Sequence, residues 1–194
     1  MLAGEALDEM KDTINATREF RAAVQANPKE PNVHFGLGYM LWMQGQNQEA
    51  AQEFQAELNN YPEHALAMLY LADSDIKMNR QEDAWPLLEK VVMITPDNSM
   101  AHLDLGIVYT EAGQREDALR ELNKVIALKP DDTSAHWRLS RLYRSMGKTA
   151  EAKAELIKSK KINKAVDDSL LKVFSEAPQP DSKPRAAAPA PANQ

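Results

Sequence analysis

Residues 101–130 read AHLDLGIVYTEAGQREDALRELNKVIALKP, and the pattern inside that stretch recurs along most of the chain. Pro130 closes it, and Pro28, Pro62 and Pro96 stand before it at a constant step of 34 residues. Other positions keep the same step. The pair Leu105–Gly106 returns as Leu37–Gly38, Leu71–Ala72 and Leu139–Ser140, a leucine followed each time by a small residue. Ala118 is matched by Ala50, Ala84 and Ala152, and Leu122 by Phe54, Leu88 and Leu156. Gly113 has counterparts in Gly45 and Gly147, with Asn79 in the fourth place. A fixed period of this length marks an array of stacked units rather than one centrally packed domain.

Each unit reads as two antiparallel helices. In the quoted stretch Leu103, Leu105, Gly106 and Tyr109 fall on one helical stripe, which places a first helix there. Gly113 supplies the left-handed stop. A second helix follows from about Arg115 to Leu128, and Pro130 ends it. Small side chains at Gly106 and Ala118 let the two helices approach closely. One such hairpin cannot bury its apolar face alone, so neighbouring units must stack. The chain is rich in Ala, Leu, Glu, Lys, Gln and Met, all good helix formers, and no stretch alternates like a β-strand. The expected fold is an all-α solenoid.

Spacing and spelling together resemble the tetratricopeptide repeat, whose units carry Leu-Gly, Tyr, Ala, Phe and Pro at fixed offsets. The resemblance implies a right-handed superhelix of antiparallel helix pairs over residues 1–176. Full units are expected at 31–64, 65–98, 99–132 and 133–166, with a partial unit over 1–30 marked by Gly4, Ala16, Phe20 and Pro28. Leu170, Val173 and Phe174 continue the register as a cap helix over 167–176. Five of the eleven prolines fall within residues 177–194, which are expected to form a disordered Pro/Ala-rich tail.

The resemblance also implies where a partner binds. Family members line a concave groove with first-helix positions 2, 5, 6, 9, 12 and 13 of each unit. By position, the first full unit supplies Asn32, Phe35, Tyr39 and Trp42, and the second Leu69, Tyr70 and Asp73. The third supplies Leu103, Asp104 and Ile107, and the last Trp137, Arg138, Arg141 and Arg144. Glu5, Asp8 and Glu9 fall to the partial unit. The groove is thus graded from acidic through aromatic to basic. The aromatic positions have two readings, a contact surface or packing between neighbouring first helices. The arginine row is read as a solvated helix face or as a clamp for carboxylate or phosphate. Chaperone-binding members hold a terminal carboxylate with a set of Lys, Asn and Arg. Here Phe35, Tyr39, Tyr70, Met100 and Asp104 stand in one frame and Leu69, Asp73, Asp104, Ser134 and Arg138 in the next. Only Arg138 matches, so that clamp is not expected.

Catalysis is not expected either. The chain has no cysteine, which excludes disulfides and thiol chemistry. His34, His102 and His136 occupy one register position in three units, too far apart to share a metal, and they read as half-buried helix residues. No Gly-rich phosphate loop and no nucleophile motif is present. No catalytic, metal or cofactor site is therefore assigned.

The net charge of -6 hides an asymmetry. Residues 1–132 hold 11 Lys and Arg against 23 Asp and Glu, whereas residues 133–166 hold 9 against 2. An acidic body argues against nucleic acid as a partner, and no apolar run suits a membrane span. The function expected is a protein-interaction module whose partner is an unknown protein or peptide. Two alternatives stand beside it. One is a non-catalytic arm of a larger enzyme or secretion assembly; the other is salt-dependent self-association of basic end on acidic front. The compartment stays open between cytoplasmic, for a complete chain, and exported, for one that has lost a leader.

Overall fold

The computed structural model describes residues 2–176, and among them the regular structure is entirely α-helical. The elements are α1 (Leu2–Ala26), α2 (Val33–Met43), α3 (Asn47–Asn60), α4 (Ala65–Lys77) and α5 (Gln81–Ile94). They continue with α6 (Ser99–Glu111), α7 (Arg115–Leu128), α8 (Thr133–Ser145) and α9 (Thr149–Glu176). Helices pair as α2 with α3, α4 with α5, α6 with α7 and α8 with α9. Each second helix also touches the next first helix, and α4 touches both α2 and α6. The result is a two-layer solenoid with the first helices along one face.

Punctuation residues set the hairpins. Gly45, Gly113 and Gly147 turn between first and second helices at φ 73, 74 and 75°, and Asn79 does so at 59°. These left-handed conformations suit Gly and are tolerated by Asn. At the other end, Tyr61, Thr95 and Lys129 leave the helix for non-helical φ, ψ just before Pro62, Pro96 and Pro130. A proline disfavours helical geometry in the residue that precedes it. The following first helices are then capped by side chains: His64 accepts from the Ala67 N–H, Asn98 from Ala101 and Asp132 from Ala135.

The core runs along the seam between the layers. Phe54, Leu88 and Leu122 are fully buried, and so are Ala50, Ala84 and Ala118. Burying each of the large side chains stabilises the array by about 1.5–3 kcal/mol. The small residues are a steric requirement. A Cβ on Gly38 would lie 2.8 Å from the Phe54 ring, and one on Gly106 would lie 2.7 Å from Leu122 Cδ2.

At both ends the backbone departs from the expected unit boundaries. The partial unit over 1–30 is not a hairpin: α1 runs unbroken from Leu2 to Ala26. Lys11 stands where the other units place Gly45, Asn79, Gly113 and Gly147, so nothing stops the helix. Nor do residues 167–176 form a separate cap helix, because α9 continues from Thr149 through Glu176. The fifth member of the proline series would be residue 164, which is Lys164. Without a proline the second helix runs on. The expected disordered tail, 177–194, lies outside the described residues, as do the side chains of Leu170, Val173 and Phe174.

Unit 65–98 departs most from the pattern, and its substitutions are accommodated locally. Asp75, buried where two later units carry Tyr109 and Tyr143, pairs with Arg80 at 2.6 Å. Pro86 is exposed within α5, which remains helical across it.

Candidate peptide-binding groove

The face shared by α2, α4, α6 and α8 carries most of the residues expected in a groove. Phe35, Tyr39, Trp42 and Tyr70 form one half-buried cluster between α2 and α4. Tyr39 meets Tyr70 edge-on at 5.2 Å, and Trp42 meets it edge-on at 4.9 Å. Tyr39 stacks on Trp42 at 5.7 Å, and Phe35 stacks on His64 at 4.9 Å. Inter-repeat packing and a partly open aromatic surface are therefore features of the same side chains. Burial, then the neighbouring Tyr39, raises the Tyr70 hydroxyl pKa above its ordinary value.

Trp42 donates its indole N–H to Asp73. Lys77 Nζ reaches the same carboxylate at 2.7 Å and lies 4.1 Å above the Trp42 ring. One unit further on, Asp104 is buried and its Oδ2 has no hydrogen-bond partner. Burial first, then the charge of Asp73, pushes the Asp104 carboxyl pKa well above its usual range. Leu69 is buried in the core rather than presented to the groove, whereas Leu103 and Ile107 are half-buried.

The basic end is built on α8. Trp137 is 42% exposed, and the Arg141 guanidinium lies 4.8 Å from its ring centroid. Arg138 is half-buried and its Nε is enclosed without an acceptor. Burial lowers its pKa; Asp104 works against that, and Arg141 adds to it. Arg144 is exposed. Arg138, Arg141, Ile107 and Leu142 line a cleft of about 150 Å³ between α6 and α8.

Asn32 is displaced from its expected place. It precedes α2 with φ 66°, in a turn that follows Pro31, and is not on the helix face. Its Oδ1 bonds His64 Nε2 at 2.8 Å. The side chains of Glu5, Asp8 and Glu9 lie outside the described ones.

Two polar devices escaped the sequence reading. Glu57 of α3 is fully buried and accepts from the backbone N–H groups of Asn32 and Phe35 at 2.9 and 3.2 Å. It caps α2 from another helix, where Asn32 makes no side-chain cap. The histidines pair across each hairpin: His34 with Glu53 at 2.6 Å, His102 with Glu121 at 2.7 Å, His136 with Glu155 at 2.6 Å. In unit 65–98 the same two places hold Met68 and Leu87. The repeated 19-residue offset was the available signal. Among the described residues no His, Asp and Glu group is arranged to hold a metal.

Family comparison agrees with this architecture. Two profiles described as "Tetratricopeptide repeat" match residues 3–65 and 44–99, and 82–139 and 109–165. The chain belongs to the tetratricopeptide-repeat family. No curated protein sequence matches it. Among solved structures it is similar to MamA residues 41–end from Desulfovibrio magneticus RS-1, at 21% identity and a TM-score of 0.74, covering 83% of this chain and 91% of that one. It is also similar to YrrB, at 18% identity and a TM-score of 0.68, covering 89% and 87%. A thermophilic tetratricopeptide protein from Thermus thermophilus, TTC0263, follows at 22% identity and a TM-score of 0.65, covering 90% and 95%. At these identities the likeness is one of fold.

Proposed function

We propose that this chain is a non-catalytic interaction module whose groove holds an extended segment of a partner protein. The observation that carries the reading is one continuous face along α2, α4, α6 and α8. On it, half-exposed aromatic side chains give way to arginines without ion-pair partners among the described residues. Aromatic and Arg side chains are the types that dominate binding energy at protein interfaces. Such a face is concave in tetratricopeptide proteins, and YrrB is described as having an unusual peptide-binding site. The family is typically non-catalytic.

The test is an affinity pull-down with the intact array, followed by titration of the captured partner against wild type, Trp42→Ala and Arg141→Glu. Circular dichroism confirms that the variants stay folded. Both substitutions weaken binding if the groove is used; a partner that binds both like wild type sinks the assignment.

Charge asymmetry favours a second reading, in which the basic last unit docks on the acidic front of another copy. Sedimentation at low and high salt decides it, since a monomer under both conditions removes the idea.

A further inference from the structure

We infer that the cleft between α6 and α8 is an anion subsite of the groove, taking an acidic or phosphorylated side chain from within an extended segment of the partner. The inference rests on the groove-binding reading and adds the chemistry of one contact to it.

The cleft has a volume of about 150 Å³, with Ile107 and Leu142 as apolar sides and Arg138 and Arg141 as its cationic residues. A water occupies roughly 30 Å³ of liquid, so a carboxymethyl or phosphate group fits. Elsewhere in the described chain Arg21, Arg80 and Arg120 each pair with a carboxylate. Arg138 and Arg141 do not. The Arg141 guanidinium instead lies over Trp137, 4.8 Å from the ring centroid, which leaves its edge free to donate. Arg138 is half-buried, with its Nε lacking an acceptor.

The carboxylates nearby do not complete this pair. Glu111 lines the same cleft, and it and Asp132 attract Arg138, but neither makes an ion pair with either arginine among the described contacts. Asp104 attracts Arg138 but makes no ion pair with it, and its Oδ2 is enclosed and unbonded. Two adjoining guanidinium groups, one partly desolvated, are therefore held together with Asp104, Asp132 and Glu111 near Arg138 but no ion pair to either arginine among the described contacts. Their planar forks match a carboxylate or phosphate oxygen pair. A partner oxyanion relieves the repulsion between them.

Position also sets a spacing. Neighbouring first helices lie about 8–10 Å apart. From the aromatic seam between α2 and α4 to the cleft between α6 and α8 is two such steps, about 16–20 Å. At about 3.3 Å per residue, an extended chain covers that distance in five or six residues. The partner segment is thus expected to carry an aromatic or large apolar residue and an anionic one at that separation. This differs from the terminal-carboxylate clamp, whose positions the chain lacks apart from Arg138.

The experiment uses the full chain and fluorescent 14-residue synthetic peptides, each with one Trp and one Asp, phosphoserine or Asn placed three to nine residues from it. Binding is read by fluorescence anisotropy for wild type, the double variant Arg138→Gln/Arg141→Gln, and Trp42→Ala. Asp or phosphoserine peptides at a separation of five or six are expected to bind wild type about tenfold tighter than Asn peptides, the scale of one charge-assisted hydrogen bond. The double variant is expected to lose that preference. Comparison of the Asp and phosphoserine arms tells which anion the cleft takes. Equal binding of Asp and Asn peptides, lost only in Trp42→Ala, overturns the anion subsite and leaves the groove reading standing. No binding by any peptide, or binding indifferent to all the substitutions, overturns both. A single-stranded oligonucleotide that displaces the anionic peptides more strongly than unlabelled peptide does overturns the choice of a peptide ligand.

Discussion

His102 and Glu121 face each other across the α6–α7 hairpin with Nδ1 and Oε2 2.7 Å apart. The other ring nitrogen lies 2.8 Å from the Pro96 carbonyl oxygen. Both nitrogens thus face oxygen partners. One side chain ties the second helix of its own unit to the proline turn before it, and His136 repeats the arrangement with Glu155 and Pro130.

Removing one partner leaves the other buried without its mate. Glu121→Leu is expected to destabilise the array by about 3 kcal/mol. The double variant His102→Met/Glu121→Leu copies Met68 and Leu87 and is expected to recover most of the loss. Denaturation followed by circular dichroism checks the pair. Additive losses would show that the two residues do not act together.

Glu155 and Asp104 shift in opposite directions, so they make opposite predictions for pH. Burial raises the Glu155 carboxyl, but hydrogen bonds from Lys158 and His136 outweigh it and hold the pKa below its ordinary value. That stabilisation is present above the unfolded carboxyl pKa and is lost as pH falls through the folded one. Glu155→Gln is expected to melt lower than wild type at pH 7, with the gap closing in acid.

For Asp104, burial and Asp73 raise the pKa, so its ionisation opposes folding as pH rises from about 4 through the folded value. Asp104→Asn is expected to melt higher than wild type at pH 7 and to converge with it in acid. A variant that melts lower at pH 7 would contradict this reading.

Gly106→Ala places a methyl group 2.7 Å from Leu122 Cδ2, on a fully buried side chain. Overpacking of this kind costs about 1–3 kcal/mol. The loss is expected in thermal melts. An unchanged midpoint would mean that α6 and α7 separate freely.

Lys164→Pro restores the missing member of the proline series. The account of α9 expects the helix to stop before residue 164, with faster amide exchange over 165–176. Unchanged protection there would show that something other than the absent proline extends the helix.

Much of this architecture was legible in the sequence, because Gly and Pro act through their own backbone restrictions. Gly113 and Pro130 set turns wherever they stand, so the period translates directly into hairpins. The ends went astray where register was extended past its punctuation: Lys11 and Lys164 lack the conformational limits of the residues they replace. Asn32 was misplaced because Pro31 and a left-handed turn delay the start of α2. Leu69 and Phe35 hold the same position in successive units, yet one is buried and the other half-exposed, a difference set by neighbouring side chains. The Glu57 cap and the His–Glu pairs join residues on different helices, where no local propensity speaks.

The central claim is that the face of first helices holds the partner. Hydrogen–deuterium exchange of the chain with and without its captured partner tests this most directly. The account predicts new protection in α2, α4, α6 and α8, strongest around Trp42 and Arg141. Protection confined to α3, α5 and α7, with the first helices unchanged, would contradict it.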